Sequence, residues 1–221
     1  MIAGWPCSSS GEEYALAFDE QRTHRLLVLP AWFDEGNKLR HFTVEVMRRL
    51  HRSGIDSFLP DLPGCNESLA PLESQDLAAW RGAAAEAAGH FAATHVLAIR
   101  GGAMLAPERL PGWRYAAAAG SSLLRSLLRA RVLASREAGR NEDRDGLLAE
   151  GKQVGLELAG YRLGARMIGD LELSQLPDPG RLHEITPADL GGPGLWLRAE
   201  PDHDPRQADA LAAIVAMGLI A

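Results

Sequence analysis

The sequence has little cysteine and no long apolar run. Its 221 residues contain two cysteines, Cys7 and Cys65, which are too few and too far apart to indicate a disulfide framework or to complete a four-ligand zinc site. No segment approaches the roughly 18 consecutive apolar residues of a membrane span. The first residues lack a basic start followed by a long apolar stretch, so we expect a cytoplasmic protein without a secretory signal.

Lysine is also scarce, because Lys38 and Lys152 are the only two among 23 basic residues. The net charge of −6 argues against a general nucleic-acid binder. The histidines show no metal-ligand spacing. We therefore expect no nucleic-acid partner, no metal and no cofactor. The hydrophobic fraction of 46% is enough for a sizeable core.

Strand and helix patterns alternate in the first half of the chain. Alternation over residues 13–18 predicts an edge strand, and residues 25–30, 55–60 and 94–99 read as buried strands. Helical patterns at 39–50 and 74–93 separate these strands. This order predicts a mainly parallel sheet with helices on its faces. We expect two further strands, at 113–117 and 194–198, and a last helix at 207–220.

The segment from 121 to about 169 has helical patterns and no clear strand. Leucines at 123, 124, 127 and 128 form an apolar stripe on its first helix. We predict a helical lid over residues 119–175, inserted into an α/β core made of residues 1–118 and 190–221. The stripe within 121–137 could alternatively make a homo-oligomer interface.

A Gly-rich turn follows the strand predicted at 94–99. In a serine hydrolase the pattern G-x-S-x-G places the nucleophile on such an elbow, and here Arg100 occupies that position. A guanidinium cannot attack a carbonyl and can only donate hydrogen bonds. Two interpretations stay open. Arg100 and the amides of Gly101 and Gly102 could bind an anion, or Arg100 could pair with a carboxylate while the glycines permit close packing.

The loop after the second buried strand supplies the other predicted ligand-binding residues. Ala31 or Trp32 would donate a backbone amide to an oxyanion, and Asp34 lies near the carboxyl ends of the strands. Asn37 is predicted to be the N-cap of the following helix.

Two residues are candidates for catalysis. Asp202 follows the strand predicted at 194–198, where a triad acid could lie, and Cys65 lies in a turn and would need a nearby cation to become reactive. No histidine follows His203, so a Ser-His-Asp triad lacks both its nucleophile and its base.

Several segments resemble one family. Residues 30–38, 61–68 and 99–105 resemble the P-x-F-x-E-E-x-N-K, D-L-x-G-C-G-D-S and L-R-x-G-A-x-L segments of hydrolase-like proteins associated with the exosortase A system. In one subgroup of that family arginine replaces the elbow serine. The resemblance implies an α/β-hydrolase fold with a helical cap. It also implies an association with extracellular polysaccharide production and the sorting of exported proteins. The resemblance further implies that Arg100 occupies the elbow position and Asp202 the position of the acid.

Together these features predict a reduced α/β-hydrolase fold and a hydrolase-like protein without a Ser-His-Asp triad. We expect it to bind a small acidic or carbonyl-bearing ligand at the carboxyl ends of the strands. The alternatives are an active hydrolase or acyltransferase with an unorthodox site, and an interaction protein of an exopolysaccharide or protein-sorting system.

Overall fold

The computed structural model describes residues 1–220. Nine strands are present in this range: β1 (Ile2–Cys7), β2 (Gly11–Phe18), β3 (Arg25–Leu29), β4 (Asp56–Pro60), β5 (His95–Ile99), β6 (Gly112–Tyr115), β7 (Leu156–Leu158), β8 (Tyr161–Leu163) and β9 (Leu182–Ile185). Seven of them form one sheet in the order β1-β2-β4-β3-β5-β6-β9, and β7 and β8 form a separate hairpin.

The strands from β4 to β9 in this sheet run parallel, whereas β1 and β2 pair antiparallel to their neighbours. The predicted mainly parallel sheet with flanking helices is therefore confirmed. The prediction that residues 13–18 form an edge strand is wrong, because these residues belong to β2, which lies between β1 and β4 in the sheet. Residues 2–7, which alternate in burial, form the edge strand β1 beside it.

Residues 1–220 also form six α-helices: α1 (Phe33–Arg52), α2 (Leu77–His90), α3 (Gly120–Glu137), α4 (Arg144–Val154), α5 (Ala165–Leu173) and α6 (Pro205–Ile220). Their buried side chains fall into two clusters. One cluster contains side chains of α1 and α6, which pack on each other, and the other contains side chains of α2 and of the lid helices. Each face of the sheet is thereby covered, as parallel strands require.

Helix α1 begins earlier than predicted. Its first residue is Phe33, so Asn37 lies inside the helix and the predicted N-cap is wrong. No side chain caps this end. The aromatic rings of Trp32 and Phe33 instead pack against Trp80, at centroid distances of 5.2 and 5.9 Å. Burial of these rings fixes the helix start in place of a capping hydrogen bond.

The strand predicted at 194–198 is also wrong. Residues 195–197 form a single 3₁₀ turn in which Leu195 is buried. The ring of Trp196 packs edge-on against that of Tyr115, with 5.9 Å between the ring centroids. This apolar run therefore packs against side chains of the core instead of extending the sheet. The last sheet strand is β9, whose Glu184 pairs with Arg114 of β6.

The insertion between β6 and β9 contains α3, α4, α5 and the β7–β8 hairpin. The expectation that this region holds no strand is therefore wrong at 156–163. Leu123, Leu124, Leu127 and Leu128 of the predicted stripe are buried within the chain, while the exact lid boundaries and an oligomer through the lid stay predictions. Within residues 1–220, none of the helices combines the length and the apolar character needed to cross a membrane.

Candidate functional site

The elbow geometry predicted after β5 is present. A short 3₁₀ helix, Arg100–Met104, follows directly on β5, and Arg100 has a φ of +53°, in the left-handed region that non-glycine residues rarely adopt. At Gly102 a Cβ atom would lie 2.5 Å from the carbonyl oxygen of Leu29 and 2.8 Å from that of Pro30. The glycine thus permits the elbow to approach the end of β3.

The guanidinium of Arg100 is held by a carboxylate. Its Nε donates to Oε2 of Glu35 at 3.0 Å and its Nη2 donates to Oε1 at 2.8 Å, which is a bidentate pair. The Nη1 of Arg100 donates to the carbonyl of Ala116 at 2.6 Å. The ring of Trp196 lies against the face of the guanidinium, with 4.1 Å between the Cζ of Arg100 and the ring centroid. The structure therefore has the second of the two arrangements considered for Arg100. A ligand-binding role for Arg100 stays a prediction.

The two elbow glycines have packing explanations. A Cβ atom on Gly101 would lie 2.7 Å from the Trp32 ring and 2.8 Å from Leu123 of the lid. Gly102 packs against β3, as described above. These contacts account for both glycines without a ligand, so anion binding by their amides stays a prediction.

A first cavity lies beneath α3, and we call it the lid cavity. Its volume is about 340 Å³. It is lined by Trp32, Phe33, Asp34, Glu35, Lys38, Leu123, Ser126, Leu127, Ala130, Ala159, Trp196 and Leu197. Lys38 Nζ pairs with Asp34 Oδ2 at 2.8 Å. Arg100 is not among the lining residues, and its partners Glu35 and Trp196 separate it from this space.

A second cavity lies at the carboxyl ends of β3 and β4, and we call it the edge cavity. Its volume is about 240 Å³. It is lined by Pro30, Ala31, Trp32, Phe33, Gly36, Asn37, Leu39, Arg40, Thr43, Leu59, Leu62, Gly64, Cys65, Asn66 and Tyr161. Among the predicted ligand-binding residues, Ala31 lines this cavity, Asp34 lines the lid cavity, and Trp32 lines both.

The environment of Cys65 disfavours nucleophilic catalysis. Burial, together with the nearby Asp61 and Glu13, raises the pKa of its thiol to about 12. The thiolate is the reactive form of cysteine, and near neutral pH this group stays a thiol. Cys65 therefore lines the edge cavity as a neutral thiol, and a catalytic role for it stays a prediction.

The structure places Asp202 on the surface. Its side chain is about half exposed (52%), and it pairs with Arg198 within its own loop. Two hydrogen bonds lower the pKa of Asp202: the larger effect comes from the backbone N–H of His203 and the smaller one from the side chain of Arg198. The ring of His203 packs against that of His41, with centroids 4.7 Å apart and planes tilted by 35°. Nothing in these contacts links Asp202 to the elbow, and a catalytic role for it stays a prediction.

Several site residues were not singled out from the sequence. Trp196 belongs to the segment predicted as a strand, and the sequence patterns do not predict Arg40 or Tyr161 as cavity walls. The Arg100–Glu35 pair follows from the strand order, because β3 and β5 are parallel neighbours and residues after their carboxyl ends meet at one edge of the sheet. Within residues 1–220, no group of three or more His, Cys, Asp or Glu side chains could hold a metal.

Solved structures with the same architecture identify the fold. α/β-Hydrolase domain-containing protein 10 from mouse matches with a TM-score of 0.60 at 14% identity, covering 100% of this chain and 98% of that one. The esterase Est1E from Butyrivibrio proteoclasticus, solved with ferulic acid bound, matches with a TM-score of 0.59 at 13% identity over 99% and 98%.

This chain has the α/β-hydrolase fold. A putative hydrolase from Agrobacterium vitis also matches, with a TM-score of 0.50 at 14% identity over 97% of this chain and 98% of that one. No family model and no curated protein sequence matches the chain. Identities this low establish the α/β-hydrolase fold alone, because one fold supports many activities.

Proposed function

We propose that this protein is a hydrolase-like binding protein that holds a small ligand at the carboxyl ends of its strands without serine-type hydrolysis. One observation carries the proposal: the elbow position that would hold a nucleophile is occupied by Arg100, whose guanidinium is fixed on Glu35. An arginine so placed has no nucleophilic atom. Preserved elbow geometry around a non-nucleophilic residue favours binding over acyl transfer.

The balance of charge at the lid cavity favours a carbonyl-bearing ligand there. Two acids, Asp34 and Glu35, line the cavity together with one base, Lys38. The lining acids outnumber the lining base, so a ligand carboxylate would meet no net attraction. A neutral carbonyl could accept a hydrogen bond from Lys38 or from the hydroxyl of Ser126, and the remaining walls are mostly apolar.

The resemblance to hydrolase-like proteins associated with the exosortase A system rests on sequence segments. Its implied association with extracellular polysaccharide and protein sorting stays a prediction, as does a cytoplasmic location. The proposal of a ligand site does not depend on either.

Binding of a neutral ketone tests the lid cavity. We expect acetophenone to raise the melting temperature in a saturable way, whereas ethylbenzene, which lacks the carbonyl, stabilises the protein less. A ligand at 100 times its Kd stabilises the folded state by about 2.7 kcal/mol. Ala130→Trp should abolish the effect, because Ala130 lines the cavity and is exposed, so the larger side chain fills the space without overpacking the core.

Ala134→Trp is the matched control for this variant. Ala134 is an exposed residue of the same helix and does not line the lid cavity, so its substitution should leave the stabilisation by acetophenone unchanged. A wild-type protein that acetophenone does not stabilise would overturn the lid-cavity proposal. Stabilisation that survives Ala130→Trp would do the same.

A further inference from the structure

The edge cavity differs from the lid cavity in its charge. Among its lining residues Arg40 carries the only charge, and the buried carboxylate of its ion-pair partner Asp61 is not part of the lining. The two acids of the first turn of α1, Asp34 and Glu35, line the lid cavity instead. The two neighbouring cavities, which share the Trp32 wall, therefore favour different ligands.

Arg40 keeps most of its hydrogen-bonding capacity. Its Nη1 donates to Oδ1 of Asp61 at 3.1 Å, and Asn66 Nδ2 donates to the same oxygen at 2.8 Å. Among residues 1–220 the side chain of Arg40 has no other hydrogen-bond partner, so its Nε and Nη2 edge is available to a bidentate acceptor. In Arg100 the corresponding edge is occupied by Glu35. Asp61 thus orients Arg40 through one bond and leaves this edge open.

A further donor lines the same space. The hydroxyl of Tyr161 accepts a hydrogen bond from Asn37 Nδ2 at 2.7 Å, so its own proton remains to be donated. Burial is the main cause that raises the pKa of Tyr161, and the negative charge of Asp34 acts in the same direction, so the phenol stays protonated.

The first turn of α1 also borders this cavity. Phe33 and Gly36 line the cavity, so the amino-terminal end of a 20-residue helix borders it. Backbone N–H groups and the helix dipole at such an end favour a negative charge. Apolar walls complete the cavity, contributed by Leu39, Leu59 and Leu62.

We propose that the edge cavity binds a small carboxylate, with Arg40 as its charged partner and the apolar part of the ligand against Phe33, Leu39 and Leu62. The inference rests on the proposed function, ligand binding at the carboxyl ends of the strands, and adds the cavity that takes an acidic group. The volume of about 240 Å³ equals that of roughly eight water molecules at about 30 Å³ each. A ligand of the size of benzoate fits this space.

Calorimetric titration with benzoate tests this site. We expect saturable binding to the wild-type protein and weaker or absent binding of benzamide, which has the same shape and no charge. Arg40→Gln should weaken benzoate binding at least tenfold. Tyr161→Phe, which removes one donor, should weaken it about three- to tenfold.

Arg48→Gln is the matched control, because Arg48 lies on the same helix, is about half exposed and does not line the cavity. It should leave the affinity for benzoate unchanged. Circular dichroism at the titration temperature establishes that each variant is folded. Equal affinity of the wild-type protein and Arg40→Gln would overturn the inference, as would a wild-type protein that binds no benzoate.

The same proteins titrated with acetophenone separate this inference from the lid-cavity proposal. Benzoate binding that depends on Arg40 supports the inference even if acetophenone does not bind. Acetophenone binding without benzoate binding overturns the inference and leaves the lid cavity as the ligand site. Benzoate binding that is lost in Arg100→Ala and retained in Arg40→Gln overturns the inference and places the acidic group at the elbow.

Discussion

Arg100→Ala should lower the free energy of unfolding by about 3 kcal/mol. Arg100 and Glu35 are both largely buried, with 15% and 17% of their side chains exposed. Removal of the guanidinium leaves the Glu35 carboxylate without its bidentate partner, and breaking a buried pair from one side costs about 3–5 kcal/mol. The residual exposure of both groups places the expected value at the low end of that range.

A double-mutant cycle with Glu35→Ala measures this interaction. The double variant should be more stable than the sum of the two single losses predicts, because no unpaired charge remains, and the coupling should fall within about 0.5–3 kcal/mol. The exposed pair Arg144–Asp145, with 59% and 80% exposure, is the control. Its coupling should be within about 0–1 kcal/mol. Additive losses at positions 100 and 35 would contradict a structural pair at the elbow.

Gly102→Ala should destabilise the protein by about 2–3 kcal/mol, the upper part of the range for overpacking. The new methyl group would lie 2.5 Å from the carbonyl oxygen of Leu29 and 2.8 Å from that of Pro30. Both are backbone atoms at the end of β3, so no side-chain rotation relieves the contact. The elbow would have to move away from β3, and chemical denaturation measures the loss.

Gly82→Ala is the opposite case and serves as the control. Gly82 lies in α2 and is exposed, and no atom lies within 4 Å of the position that its Cβ atom would take. Alanine is favoured over glycine in a helix interior by about 0.8–1 kcal/mol, so this substitution should stabilise the protein. A Gly102→Ala variant that is as stable as the wild-type protein, or more stable, would contradict the close approach of the elbow to β3.

Much of the α/β core could be predicted because its central strands are short, mostly apolar segments separated by turn residues. Strand β5 and the elbow after it are examples, since His95–Ile99 is buried along almost its whole length. Strand β9 gives no such signal. Its four residues include two exposed polar ones, and it is held by pairing with β6 and by the ion pair of Glu184 with Arg114.

The hairpin in the lid was missed for a related reason. Strands β7 and β8 have three residues each, and their turn contains Ala159 and Gly160 with φ values of +51° and +83°. Two central residues of positive φ are typical of a hairpin turn. An alanine in the first of these positions hides that signal, because alanine rarely adopts this conformation.

The candidate site was predicted in its position and less well in its interactions. An arginine at the elbow and acids after β3 were both evident in the sequence. Their pairing depends on β3 and β5 being neighbours in the sheet, a relation that sequence spacing does not contain. The edge cavity depends equally on tertiary contacts, since Tyr161 meets Asn37 across 124 positions of the chain.

Turnover of short-chain nitrophenyl esters, combined with labelling by a fluorophosphonate probe, tests the central claim most directly. With Arg100 fixed on Glu35 at the elbow, we expect no saturable turnover above the buffer rate and no covalent labelling. The contradicting result is saturable turnover that survives Arg100→Ala and disappears in Asp202→Asn. Such a result would establish an active hydrolase with an unorthodox site in place of a binding protein.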